Sequence, residues 1–191
     1  DEYTGMVNKY ITNVSSDFEV DDELGETKAR DGAIATIGGL ITEKTIKTTK
    51  KGQLMAFLTV EDVVGTVEVV VFPNSFTANR VVIDHAEKVF VTGKVQANVD
   101  ENAKLICDKV VDFASIPRKL WIRFASLSDY EDKKDELYGI LYNSDGKDTV
   151  VIYCTKENKR LTLPASRTIR VDSELIQKLQ SMYGEKNVTT T

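Results

Sequence analysis

Four lysines and a phenylalanine in one short stretch carry the first chemical signal of this chain. Lys44, Lys47, Lys50 and Lys51 crowd a segment that closes at Gly52, and Phe57 follows within a strand's length. Ammonium groups on a mobile loop hold phosphates, and a ring on an exposed strand face stacks bases. In the run LMAFLTVE, Phe57, Thr59 and Glu61 share one face while Ala56, Leu58 and Val60 share the other. A two-residue period of this kind separates a packed face from an exposed one. The chemistry expected is capture of a strand without bond-making, by Lys44, Lys47, Lys50, Lys51, Phe57 and Thr59. Phe72 and Lys94 extend this set, with Phe90 a further ring and Lys104, Lys109 and Arg80 further cations. Glu61, Glu68 and Asp108 oppose it.

Bond-making chemistry finds no comparable cluster. Cys107 and Cys154 stand alone in the sequence, so neither a zinc cluster nor a disulfide framework is expected, and both read as reduced, packed thiols. His85, the chain's one histidine, follows Asp84 at the end of a short helical segment and reads as a helix-end or solvent-facing group. Glu61-Asp62 is an acidic pair at the entry to a turn, without a third ligand nearby, and reads as structural. No catalytic residue, metal or cofactor is therefore expected.

The elements that must position these residues are legible from turn residues and alternation. Residues 1–29 read as a leading helix, Glu2 to Ile11, followed by an acidic linker, and as part of a longer chain. Residues 30–117 hold five strand segments: Ala33–Lys47, bent at Gly38-Gly39, then Leu54–Asp62, Thr66–Phe72, Lys88–Val99 and Lys104–Phe113. A helix starting near Pro73 and capped by Asn74 or Ser75 separates the third strand from the fourth. Three strands, a helix and two more strands is the order of the five-stranded oligonucleotide-binding barrel, the OB-fold. Residues 118–191 read as a small α+β domain of order β-α-β-β-α-β. Its helices run over Glu131–Tyr142, capped by Ser128 or Asp129, and over Ser173–Tyr183, capped by Asp172 or Ser173. A strand at Arg160–Leu163 is expected to continue through Thr168–Val171.

A net charge of −5 argues against a wholly basic nucleic-acid binder, but its distribution matters more. Residues 1–29 carry 2 Lys/Arg against 8 Asp/Glu, residues 30–117 carry 10 against 11, and residues 118–191 carry 13 against 11. The excess is thus confined to the leading segment, which leaves a barrel groove free to be locally positive. No apolar run approaches the roughly 18–20 residues of a membrane span, and the acidic start is unlike a signal peptide.

Asp1-Glu2-Tyr3, the run GGLITEKTIKTTKKGQLMAFLTVEDVVGTVEVVVFP, the segment LWIRF and the closing MYGEKNV together resemble the C-terminal region of the bacterial DNA polymerase III alpha subunit, DnaE type. Asp1-Glu2-Tyr3 is similar to the end of a PLDEY motif that precedes the barrel in that family. The resemblance implies a non-catalytic portion of a DNA-directed DNA polymerase, with the active sites upstream. It implies single-stranded or primer–template DNA, the clamp-loader tau subunit and the rest of the polymerase chain as partners, and a bacterial cytoplasmic, nucleoid-associated location. Phe57 matches the base-stacking aromatic of related anticodon-binding barrels. For the terminal domain, Arg118, Arg123, Arg167 and Arg170 beside Trp121, Tyr138, Tyr142 and Tyr183 are available for protein docking. The alternative is a module that binds only proteins and excludes DNA.

Overall fold

The computed structural model describes residues 4–191, with side chains from residue 7 onward. Asp1-Glu2-Tyr3 lies outside the described residues. The chain divides into two compact units, Asp1–Ile116 and Pro117–Thr191.

In the first unit, β1 (Ile34–Thr48), β2 (Leu54–Glu61), β3 (Thr66–Val71), β4 (Lys88–Gln96) and β5 (Lys104–Asp112) close into a barrel of order β1-β2-β3-β5-β4. All pairings are antiparallel except the short parallel one between β3 and β5. Closure removes free strand edges, and the inward residues Ala56, Leu58, Val60, Val67, Val69, Val91 and Leu105 fill the interior at 0–2% exposure. Helix α2 (Pro73–His85) supplies Phe76 and Ile83 to the same core. Its cap is Phe72 rather than Asn74 or Ser75, because Pro73 occupies the first helical position, where its missing N–H costs nothing.

Gly38 and Gly39 were expected to bend β1 through backbone freedom. Neither has a positive φ. What demands glycine is proximity: a Cβ on Gly39 would lie 2.1 Å from the Glu61 carbonyl oxygen, and one on Gly38 would lie 2.9 Å from the Phe90 ring.

The leading segment corrects the linker expectation. Helix α1 spans Thr4–Tyr10, and the chain beyond it is packed against the barrel rather than free. Phe18 and Ala29 join the barrel core at 1% and 3% exposure. Backbone bonds run from Ala103 N to Phe18 O (2.8 Å), Asp100 N to Gly25 O (3.0 Å) and Ala29 N to Asp17 O (2.8 Å). Asp21, Asp22, Glu23 and Glu26 lie on the outside of this segment while Phe18 and Ala29 point in.

In the second unit, β6 (Lys119–Phe124), α3 (Leu127–Leu141), β7 (Thr149–Cys154), β8 (Lys159–Thr162), α4 (Ser173–Tyr183) and β9 (Val188–Thr190) form a sheet of order β8-β7-β6-β9 with two helices. Leu120, Ile122, Phe124, Val150, Ile152 and Cys154 face the core that Leu137, Leu141, Leu175 and Leu179 complete from α3 and α4. Ser126 caps α3, ahead of the expected Ser128 or Asp129, its hydroxyl accepting from Asp129 N at 3.1 Å. Asp172 caps α4 by accepting from Leu175 N at 2.8 Å. The expected strand over Thr168–Val171 is reduced to one bridge, Asp148 to Ile169. The fold is an OB barrel followed by a small α+β domain.

Candidate nucleic-acid interface

The outer face of β1, β2 and β3 forms an open groove of about 790 Å³, walled at one end by Phe18, Glu19 and the β4–β5 loop. Strands 2 and 3 and the loops joining strands 1–2 and 4–5 are the ligand-facing elements of this barrel class. Phe57 and Thr59 both line it, half-buried, on the side of β2 opposite the packed Ala56, Leu58 and Val60. Thr45 lies opposite Phe57 and Glu43 opposite Thr59, so β1 contributes Glu43, Thr45 and Lys47 to the same side. The Lys47 ammonium stands 5.0 Å from the Phe57 ring centroid, within the distance at which a cation and a ring attract.

The remaining expected residues are distributed differently. Lys50 and Lys51 stand exposed at the tip of the β1–β2 hairpin, which turns through Gly52 at φ 77°. Lys44 leaves the set. Its ammonium donates to Ile83 O at 3.2 Å and pairs with Asp84 at 3.5 Å, at the end of α2. Strand alternation past the irregularity between Ile41 and Glu43 sends Lys44 to the opposite side from Lys47. Phe72 is 49% exposed at the cap of α2, and Lys94 sits on β4 beside Gly32; neither lines the groove. Phe90 is packing: it is 4% exposed and stacked on Phe113 at 4.1 Å. Arg80 pairs with Asp84 instead of facing a ligand.

The groove is richer in carboxylates than the alternation of β2 alone suggests. Glu19, Glu43, Glu68 and Glu101 line it beside only two lysines, Lys47 and Lys104, and Lys104 is paired with Glu68 at 3.1 Å. The groove is therefore a stacking surface with cations at its hairpin end rather than a positive trough. Glu19 and Glu101 arrive from the leading segment and the β4–β5 loop, whose approach to β2 no local pattern encodes.

Asp62 has a structural task. Its carboxylate accepts from Ser15 N (2.7 Å), Ser15 Oγ (2.6 Å), Val64 N (2.8 Å) and Gly65 N (2.9 Å). Burial pushes its pKa up, but the Ser15 hydroxyl and the Gly65, Ser15 and Val64 amides together outweigh that and lower it. A carboxyl with a depressed folded pKa adds stability above its unfolded value, near 3.8, and loses it as pH falls through the lower folded value. Asp62→Asn is expected to cost about 2 kcal/mol at neutral pH, tempered by solvent access. Its denaturation midpoint should converge on that of the parent as pH falls below the ordinary aspartate range and through the lowered folded value, which urea titrations across pH read directly.

Burial, then the Asp108 charge, pushes the Cys107 thiol up to about 12, and burial also raises that of Cys154. His85 closes onto its own helix, with Nδ1 2.9 Å from Val81 O. In the second unit Arg118 lies against Asp148 and Val171 O, Arg123 over Tyr153, and Arg167 over both Tyr138 and Tyr142 at about 5 Å.

A five-stranded closed barrel of this strand order, with a helix between its third and fourth strands, defines the first unit as an OB-fold. Residues 35–112 match the tRNA anti-codon family, an OB-fold nucleic acid binding domain. Over most of its length the chain is similar to one part of the DNA polymerase III alpha subunit of several bacteria. It is 31% identical over 160 residues to that of Bacillus subtilis, covering 80% of this chain and 14% of the relative. It is 25% identical over 175 residues to that of Halalkalibacterium halodurans, covering 89% and 16%, and 28% identical over 197 residues to that of Pseudomonas aeruginosa, covering 98% and 16%. The chain thus spans about one-seventh of the length of these relatives. Asparaginyl-tRNA synthetase from Pyrococcus horikoshii shares a slight likeness, with a TM-score of 0.35 and 24% identity over 50% of this chain and 21% of that one.

Proposed function

We propose that this chain is a non-catalytic, C-terminal region of a replicative DNA polymerase in the bacterial cytoplasm. It holds single-stranded template in the barrel groove and docks the clamp-loader tau subunit through the second unit. The observation that carries the DNA role is the Phe57 ring on the outer face of β2 with Lys47 5.0 Å away. The relatives supply the polymerase context, and the barrel's class supplies the nucleic-acid one. Among the described residues no helix is long and apolar enough to cross a membrane.

The groove's glutamates keep affinity low, in the range of about 10⁻⁴–10⁻⁶ M typical of non-specific binding. Titrating labelled oligothymidylate at low salt tests the reading. Phe57→Ala is expected to weaken binding by about 1–3 kcal/mol through lost stacking. Changing Lys50 and Lys51 to alanine should flatten the salt dependence by roughly 0.7 for each phosphate the lysines neutralise. Binding indifferent to all three changes defeats this assignment of the groove.

A second reading, protein docking without DNA, is favoured by the carboxylates of Glu19, Glu43, Glu68 and Glu101 in the groove. It predicts no oligonucleotide response from Phe57, and capture of tau that depends on residues 118–191.

A further inference from the structure

A second surface that combines cations with aromatic rings lies in the second unit. In the second unit α3 and α4 cover one face of the sheet, and alternation sends Lys119, Trp121 and Arg123 of β6, Tyr153 of β7 and Arg160 of β8 to the other. Arg123, Tyr153 and Arg160 are direct cross-strand neighbours in one row. Trp121 lies one row away, opposite Val151 and Thr189. The other sheet positions on this side are Thr149, Val151, Thr162 and Thr189, so the strands place no carboxylate there. Lys186 adds a further cation where Trp121, Arg123 and Tyr153 line a depression of about 210 Å³.

Each ring has a guanidinium at hand. Arg160 stands 5.6 Å from the Trp121 centroid and Arg123 stands 5.8 Å from that of Tyr153. Neither arginine is ion-paired with a carboxylate among the described residues. The rings are oriented by hydrogen bonds at their rims: Trp121 Nε1 donates to Thr191 Oγ1 at 3.0 Å, and the Tyr153 hydroxyl donates to Asn158 Oδ1 at 2.9 Å. Outward residues two apart on a strand stand about 7 Å from each other, and neighbouring strands about 4.8 Å. Rings and planar cations at that spacing present a flat, positive and amphipathic surface.

We propose that this open sheet face is a second binding surface for single-stranded nucleic acid, independent of the barrel groove. Charge complementarity selects the occupant. A surface with several cations and no carboxylate on its strands takes a polyanion, and two fixed aromatic faces favour a polyanion that carries stackable bases. As a base takes a ring, the guanidinium over it swings to the adjoining phosphate, exchanging a weak ring interaction for a charge-assisted bidentate one. The inference stands whether or not the barrel groove binds DNA.

Trp121 is the chain's one tryptophan, so its fluorescence reports this face alone. Titrating the full chain with oligothymidylate of about 16 nucleotides, long enough for one such site, is expected to quench Trp121 saturably. Phe57→Ala should leave that quenching unchanged, which separates this face from the groove. Arg123→Glu with Arg160→Glu, both at exposed positions, should weaken the response about tenfold or more and reduce its salt slope by roughly 1.4, the share of two phosphates. Heparin, a polyanion without bases, should compete without quenching. The proposal is overturned if saturating oligonucleotide leaves Trp121 fluorescence unchanged, or if the charge reversals do not alter the titration. It is equally overturned if an oligo-glutamate peptide displaces the oligonucleotide at matching concentration, which would assign the face to an acidic protein partner.

Discussion

Asp148→Ala is expected to lower the unfolding free energy of the second unit by about 3–5 kcal/mol. Asp148 is 7% exposed, and its carboxylate accepts from Arg118 N and Val171 N, both at 2.8 Å, with Arg118 Nη2 at 3.8 Å. It thus joins the start of β6 to the segment preceding α4. Alanine would strip both amides of their acceptor and remove the carboxylate that faces the Arg118 guanidinium, whose side chain is only 18% exposed. Removing one partner of a buried pair costs more than the pair was worth, since the other stays desolvated. Asn, which keeps an oxygen acceptor for one amide, should fall between alanine and the parent. Urea unfolding followed by Trp121 fluorescence measures this, and a change under about 1 kcal/mol would show that the network is not what holds these segments.

Gly93→Ala should damage the barrel comparably, by about 3 kcal/mol or more, through sterics rather than electrostatics. A Cβ on Gly93 would lie 2.0 Å from Ile106 O and 2.8 Å from that carbonyl's carbon. Both are backbone atoms of β5, so no rotamer change relieves the overlap. Gly93 also sits where the pairing of β4 with β5 slips by one residue, and that slip is part of how the strands coil into closure. The strands would have to separate locally, at the expense of ladder bonds on both sides. Far-ultraviolet circular dichroism during thermal unfolding should show a lowered transition, and an unchanged midpoint would contradict the packing described.

The barrel was legible because its signals are local. The alternation through Phe57, the glycine turn at 65 and the proline at 73 each fix a boundary without reference to the rest of the chain. The groove was legible only in part. Which side Phe57 occupies follows from the period of β2, but which side Lys44 occupies depends on a pairing irregularity with β2 that involves a second strand. Phe90 shares the alternation of an outward residue, and only α1 and Phe113 folding over that side turn it into core. The leading segment carries no local sign of its packing, because Ser15, Phe18 and Ala29 follow neither a helical nor a strand period. Their burial is imposed by Asp62, Ala103 and the barrel end, all distant in sequence. In the second unit Asp172 and Gly184 announce α4, whereas Ser126 is overshadowed as a cap by Ser128 and Asp129 two and three residues later.

Cys107 and Cys154, one in each unit and both buried, give the chain a pair of internal timers. A thiol held in its neutral form inside a closed interior is a poor nucleophile toward alkylating reagents. Each should become trapped only when its own unit opens. Exchange-type labelling resolved by peptide mass would therefore yield separate opening free energies for barrel and terminal domain from one native sample.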